Sequence, residues 1–339
     1  MGTRITIKDV ARQAGVSIST VSRVLNKSSY VKKSTFERVE AVIRELGYSP
    51  NHIARSLSKG TTGIIGAILP DISNPFFPAL ARGIADAAVS RGYTLILCNT
   101  DGYAAQEESS VRVLLEKQVD GIVFVAGSSA AVELVLTASK ACPVAVIDRQ
   151  VKGVSCDMVT VDNYRGSFEM TRHLLDTGHK RIAYITGPMH LSTSQERLRG
   201  FRDCLAEAGV DRVPLLFNGD FKYDTGYSFA REIIRMGLDV TCVYCANDLM
   251  ALGAMRCFLD SGLKVPEQVA VAGFDDISMS SLTRPALTTI AQPAYQMGVT
   301  AAEFLLERLS NGKELAPRSR ILEPVLVIRD STGGGRDWV

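Results

Sequence analysis

Apolar positions along the chain fall into two rhythms. Up to about residue 48 they recur at three- and four-residue spacing: Ile7, Val10, Ala11 and Ala14, then Val21, Val24 and Leu25, then Phe36, Val39, Val42, Ile43 and Leu46. That spacing predicts three short amphipathic helices. Thr6, with Asp9 in the first turn, marks one start, and Gly15, tolerant of positive φ, marks its stop. Ser17 caps the second helix, and Ser34 followed by Glu37 has the spacing of a capping box for the third. From residue 61 the rhythm changes to short continuous apolar runs, "GIIGAILP", "YTLILCN", "GIVFVAG" and "PVAVIDR", which read as buried strands. Amphipathic stretches such as "PALARGIADAAVSRG" lie between them. After "DMVTVDN" the alternation restarts with "RIAYITG", "VPLLFNGD", "TCVYCAN" and "QVAVAGFD". Parallel strands buried on both faces carry such runs. The expected fold is therefore an N-terminal all-α head followed by an α/β core of two doubly wound parallel-sheet lobes.

Composition narrows the class. The chain has 339 residues, 46% hydrophobic and 22% charged, which suits two to three globular domains rather than a disordered chain. No apolar run approaches the ~18–20 residues of a membrane span. The N-terminus is charged and lacks the apolar stretch of a signal peptide, so a cytoplasmic protein with no membrane partner is expected. Seven cysteines, an odd number, fit reduced thiols better than a disulfide framework. Residues 1–60 carry eleven Lys+Arg against four Asp+Glu, and the remainder 27 against 32. A basic head on a mildly acidic body suggests a polyanion-binding module joined to something else.

Two short helices around an Ala-Gly-Val-Ser turn make a helix-turn-helix, whose second helix enters the DNA major groove. The stretch "IKDVARQAGVSISTVSRVLN" resembles the headpiece of the LacI/GalR family of bacterial repressors. The resemblance implies that Ile18, Ser19 and Arg23 read bases. Arg23 is able to form a bidentate bond to guanine, and Ile18 offers only apolar contact. Thr6, Ser17, Thr20, Ser22, Asn26 and Tyr30 become phosphate contacts, which position the protein without reading sequence. After Pro50 comes "NHIARSLSKG", too short for a stable isolated helix. Its counterpart in the family folds in a homodimer on double-stranded operator DNA. That places Asn51, Ala54, Arg55 and Leu57 at the minor groove, with Leu57 as a wedge between base pairs.

Ligands of doubly wound folds bind outside the C-terminal ends of the strands. Asp71, Asn74, Phe76 and Phe77 follow the first strand, and Asp148 and Arg149 the fourth. Arg197 opens the helix after "RIAYITG". Phe221, Asn247, Asp248 and Asp275 follow later strands, and Gln292 lies in "TTIAQPA", where a crossover should return to the first lobe. Carboxylates accept hydrogen bonds, guanidinium groups donate them in a fixed fork, and aromatic faces cover C–H surfaces, a combination that suits a sugar. The motifs "NPFF", "DR", "GDF", "GFD" and "TIAQ" resemble those of the periplasmic ribose-binding protein and ribose-operon repressors. The resemblance assigns ribose contacts to Asn74, Phe76, Phe77, Asp148, Arg149, Arg197, Phe221, Asn247, Asp275 and Gln292.

The implied organisation is a headpiece over 1–49 and a hinge helix over 50–60. A first lobe would take 61–161 plus 291–321, a second 162–290 plus 322–330, and 331–339 would be a disordered tail. The implied function is a repressor released from a palindromic operator by D-ribose, with no cofactor, no metal and no catalysis. Another pentose, a sugar phosphate or a purine corepressor stays open as effector. So do docking of a phosphocarrier co-regulator and tetramer formation. A transport binding protein and a sugar-modifying enzyme are the competing classes, and no phosphate loop, dinucleotide motif or nucleophile–base pair supports the enzyme. Cys242 and Cys245 sit three apart in a strand, on opposite faces, and no second CxxC exists to make a zinc site.

Overall fold

The computed structural model describes residues 5–25, 30–48, 61–151, 153–210, 214–311 and 315–333. The chain divides into two compact units, Met1–Thr62 and Gly63–Val339.

In the first unit, α1 (Ile7–Ala14), α2 (Ile18–Leu25) and α3 (Lys33–Leu46) bury Val10, Ala11, Ala14, Val21, Val24, Val39 and Val42 in a small shared core. The Asp9 carboxylate accepts the Thr6 backbone N–H at 3.0 Å and the Thr6 hydroxyl at 2.7 Å. These bonds hold the carboxyl below its ordinary range. Gly15 ends α1 at φ 62°. The capping box expected at Ser34 and Glu37 does not form. Helix α3 begins one residue earlier, and its N-cap Lys32 supplies no side-chain acceptor.

The second unit holds two lobes. The first is a six-stranded parallel sheet in the order β11-β5-β4-β3-β1-β2, built from β1 (Ile64–Leu69), β2 (Thr94–Asn99), β3 (Gly121–Phe124), β4 (Val144–Ile147), β5 (Asp157–Val161) and β11 (Ser319–Leu322). Helices α4 (Phe76–Ser90), α5 (Ala104–Glu116), α6 (Ala131–Ala141) and α11 (Ala294–Asn311) pack on it. The second lobe is a four-stranded parallel sheet in the order β7-β6-β8-β9, from β6 (Ile182–Thr186), β7 (Leu215–Asn218), β8 (Cys242–Cys245) and β9 (Ala270–Ala272). Its helices are α7 (Asn163–Asp176), α8 (Ser192–Glu207), α9 (Tyr223–Arg235) and α10 (Asp248–Asp260). An antiparallel pair, β10 (Thr289–Ala291) with β12 (Val325–Val327), attaches to it through isolated bridges from Ala272 to Thr288 and from Asp275 to Ala291.

The chain passes between lobes three times: between β5 and α7, between β10 and α11, and between β11 and β12. At the end of β5 away from the crossovers, the buried Asp157 takes two hydrogen bonds each from Arg308 of α11 and from the side chain of Arg318, just before β11, at 2.8–3.3 Å. Burial pushes this carboxyl up, but the arginine bonds outweigh it and hold it below its ordinary value.

Two further expectations need correcting. The run "YTLILCN" is not a buried strand: β2 lies at the sheet edge, pairs only with β1, and leaves Leu97 exposed. Continuous apolarity marks a strand but not its place in the sheet. The predicted disordered tail over 331–339 is wrong for its first residues. Ser331 and Thr332 are buried, with Ser331 Oγ donating to the Val271 carbonyl at 2.6 Å and Thr332 Oγ1 sharing hydrogen bonds with Thr288 Oγ1 and His173 Nε2. Residues 334–339 lie outside the described ones. Cys242 and Cys245 are both buried in β8, where burial pushes their thiols up and leaves them inert. Among the described residues no helix is long and apolar enough to cross a membrane.

Candidate functional site

The head presents one face of α2. Val21 and Val24 point into the core, while Ile18, Ser19 and Arg23 stay exposed. The helix start is a hydroxyl cluster. Ser17 Oγ accepts the Thr20 backbone N–H at 3.1 Å and bonds Ser19 Oγ at 2.7 Å and Thr20 Oγ1 at 2.8 Å. These groups therefore cap the helix while remaining at its surface. Thr6, at the N-cap of α1, is exposed, Ser22 is half-buried, and Tyr30 is 89% exposed. Asn26, Asn51, Ala54, Arg55 and Leu57 lie outside the described residues.

In the core, all ten residues that the sequence singles out for a ligand line one cavity of about 240 Å³ between the lobes. The first lobe contributes Asn74, Phe76 and Phe77 from the start of α4, and Asp148 and Arg149 from the end of β4. The second contributes Arg197 from α8, Phe221 after β7, Asn247 at the cap of α10 and Asp275 after β9, and Gln292 follows β10. Arg197 stands in the second turn of α8 rather than opening it, because the helix starts at Ser192.

The wall is rigid by construction. Asn74 Oδ1 accepts the Phe76 N–H at 3.1 Å, and the two phenyl rings meet edge to face at 5.2 Å. Asn247 Oδ1 caps α10 through the Met250 N–H at 3.1 Å, while its Nδ2 donates to the Phe221 carbonyl at 3.0 Å. Arg197 donates to Asn163 Oδ1 at 2.8 Å and to the Ala246 carbonyl at 2.5 Å, lies 3.5 Å from Asp275, and stacks 3.7 Å over Phe274. Arg149 donates to the Ala126 carbonyl at 2.7 Å. Asp148, Phe221 and Asp275 all have left-handed backbone, at φ 68°, 68° and 119°. That costs of order 1–3 kcal/mol per residue and survives only where packing over-determines it. Gly187 makes room for the strained Phe221, since a Cβ there would lie 2.1 Å from the ring.

Several groups in the wall are left with bonding capacity. Asp148 and Arg149 are paired at 3.5 Å without a hydrogen bond, so Asp148 Oδ1 and Arg149 Nε have no partner, and neither does Gln292 Oε1. Burial raises the Asp148 carboxyl, opposed by Arg149 and Arg197. Burial, together with the charges of Asp248 and Asp148, pushes Asp275 up to about 8 against the pull of Arg197 and a 2.7 Å bond from Gln292. The buried charges among the ten are two Asp and two Arg, so the lining carries no excess of positive charge.

Sequence reasoning placed Asp248 at the site, but it stands behind it. Its carboxylate holds the Ile277 N–H, the Ser280 hydroxyl and the Thr289 hydroxyl at 2.5–2.9 Å, which fixes the turn that carries Asp275. The lining also takes in Asp101, Tyr103, Thr193, Asp220 and Lys222, and two contributors stand out among the residues that the sequence analysis does not name. Glu107 is fully buried although its helix reads as a charged surface, and its Oε1 accepts the Gly127 N–H at 2.6 Å. His190 lines the cavity and fits no metal or catalytic spacing in the sequence. Neither had a local signal, since both act through a loop distant in the chain.

Comparison with known proteins decides the family. Residues 62–327 match the family described as periplasmic binding proteins and sugar binding domain of LacI family, and residues 6–51 match bacterial regulatory proteins, lacI family. The chain belongs to the LacI family. It is 37% identical to an HTH-type transcriptional repressor PurR of Photobacterium profundum over 96% of this chain and 98% of the relative. It is 35% identical to a ribose operon repressor of Halalkalibacterium halodurans over 98% of each. Among solved structures, the lac repressor dimer bound to operator and the anti-inducer ONPF superposes with a TM-score of 0.86 at 30% identity, over 97% of this chain and 99% of that one. This LacI-family chain is thus a DNA-binding regulator, with a helix-turn-helix head and a two-lobed core of periplasmic-binding-protein type.

Proposed function

We propose that the chain is a homodimeric repressor of a sugar-utilisation operon that leaves its operator when D-ribose fills the cleft between the lobes. The observation that carries the reading is the cavity. Ten residues scattered over 219 positions, from Asn74 to Gln292, line one space, with acceptors and donors interleaved and three buried polar atoms unpartnered. Each hydroxyl of a sugar both donates and accepts, so Asp148 and Gln292 offer acceptors where Arg149 offers a donor. Phe76, Phe77 and Phe221 suit the C–H surface of a pentose ring. The lining as a whole has five aspartates against two arginines and one lysine, which disfavours a phosphorylated ligand.

On the head, Ile18, Ser19 and Arg23 read bases, and Thr6, Ser17, Thr20, Ser22, Asn26 and Tyr30 hold phosphates. In the hinge, Asn51, Ala54 and Arg55 hold the minor groove, with Leu57 as the wedge. The apolar edge of β2 with exposed Leu97, and exposed Val89 on α4 packed against that strand, suit a second copy of the chain.

A purine corepressor is the second reading, favoured by the relatives named PurR. Calorimetric titration with D-ribose, other pentoses, hexoses, their phosphates and purines separates the two, followed by operator gel shifts with each binder. Ribose that binds and releases DNA supports the reading. A purine that binds and strengthens the DNA complex replaces it.

A further inference from the structure

The two lobes also touch in and beside the cavity wall through polar bonds that the ten residues assigned to the ligand do not make. His190, in the connection between β6 and α8 of the second lobe, lies with Nε2 3.2 Å from the Gly127 carbonyl, in the connection between β3 and α6 of the first. Two residues on, Ser192 Oγ accepts the backbone N–H of Gln150 at 2.9 Å. One short stretch of the second lobe therefore reaches two neighbouring loops of the first.

The first-lobe side of this contact is fixed in advance. Glu107, fully buried, accepts the Gly127 N–H at 2.6 Å and also the Ser128 hydroxyl. Arg149 holds the Ala126 carbonyl at 2.7 Å, one residue before Gly127. No side chain fits at 127, because a Cβ would lie 2.9 Å from both Gly102 Cα and Glu107 Oε1. The loop is thus clamped between a buried carboxylate and an arginine of the ligand wall, and it offers the second lobe one carbonyl. To hold that carbonyl, Nε2 must carry a proton, which either the matching neutral tautomer or the imidazolium provides.

Covalently the lobes are joined only through the three crossovers, so rotation about those passages changes the distance from His190 to Gly127. We propose that His190 is a positioning residue for ligand binding. It latches the second lobe onto the Gly127 carbonyl, and this bond, linked through the Ala126 carbonyl to Arg149, sets how tightly the closed cleft retains its sugar. The proposal rests on the reading of the cavity as an effector site. A bond made only when the lobes are together biases the closed state, and apparent affinity follows the population of that state.

The test uses the full chain with His190→Ala and His190→Gln, since a glutamine amide is able to donate to the same carbonyl. In ligand-free protein, hydrogen exchange in peptides covering residues 125–129 and 188–192 should quicken in the alanine variant and stay near wild type in the glutamine variant. Titration with D-ribose should show dissociation constants raised by about three- to tenfold in the alanine variant, chiefly through faster release, and within about twofold of wild type in the glutamine variant. Unchanged exchange at 125–129 in His190→Ala, or equal weakening in both variants, overturns the latch. Wild-type protein that takes no sugar overturns the ribose reading, and the ligand-free exchange still decides the latch on its own.

Discussion

The two recognition surfaces of this chain are built on opposite principles. On α2 the side chains proposed to read bases stand in water: Ile18 is 45% exposed and Arg23 is exposed, and only the hydroxyls at the helix start have fixed partners. In the cleft Asp148, Arg149, Arg197 and Asp275 are all buried, and the backbone beneath Asp148, Phe221 and Asp275 is strained to aim them. The difference follows from the partner. DNA brings its own extended surface and excludes water as it docks, so flexible, solvated side chains suffice. A small polyol, the proposed ligand of the cleft, would supply few contacts, so the protein has to order its polar groups before the ligand arrives. The head therefore tolerates substitution without losing its fold, whereas the core couples stability to its buried charges.

That contrast can be broken at specific residues. The largest effect should come from Asp157→Ala, which strands two arginines against β5. Stability of the core should fall by about 3–5 kcal/mol, read by urea denaturation. Next, Asp275→Ala should weaken ribose binding by about 2–3 kcal/mol, or ~30–150-fold in a calorimetric titration, while operator affinity without sugar stays at wild type. If DNA binding fell equally, the two surfaces would not be separable. On the head, Arg23→Ala should cost about 1–3 kcal/mol on operator and relax base choice in a binding-site selection, with ribose affinity unchanged.

The smallest effect is a pH dependence confined to the cleft. Asp275 is raised to about 8 in the free protein. A sugar hydroxyl donating to its carboxylate favours the ionised form, so binding lowers that value and releases a proton. Ribose affinity should therefore rise with pH, by at most about tenfold per unit, and level off above about 8. Titrations in buffers of different ionisation enthalpy would detect the released proton. Affinity that stayed flat from pH 6 to 8 would mean the carboxyl is already ionised in the free cleft.

The same contrast explains what was legible in the sequence. The head could be read almost whole, because its signals are local: Thr6 with Asp9, Gly15, Ser17 and a helical stripe are neighbours in sequence and in space. The strands of the core were legible as apolar runs, but the edge position of β2 was not, since pairing partners are chosen over long distances. The ten residues were named by the resemblance to ribose-operon repressors, and they stand near strand ends, where a topological rule places ligands. Glu107 and His190 follow none: one is a helix glutamate that points inward, the other a loop histidine whose partner is 63 residues away. The failed cap at Ser34 shows the limit of spacing alone, since the helix took the nearer start at Lys33.

The order of elements along the chain also constrains how the protein can be made. Helix α11 covers β3, β4 and β5, and β11 completes the edge of the same sheet, yet both are synthesised after nearly all of the second lobe. At ribosomal speed, the ~160 residues from the end of β5 to the end of β11 take roughly 8–32 s to appear. For that interval the nascent first sheet carries an uncovered apolar face, with Gly83 of α4 waiting for the Tyr295 backbone that will pack against it. A chain cut short before residue 294 therefore leaves that lobe without its covering helix and with the apolar face of its sheet open.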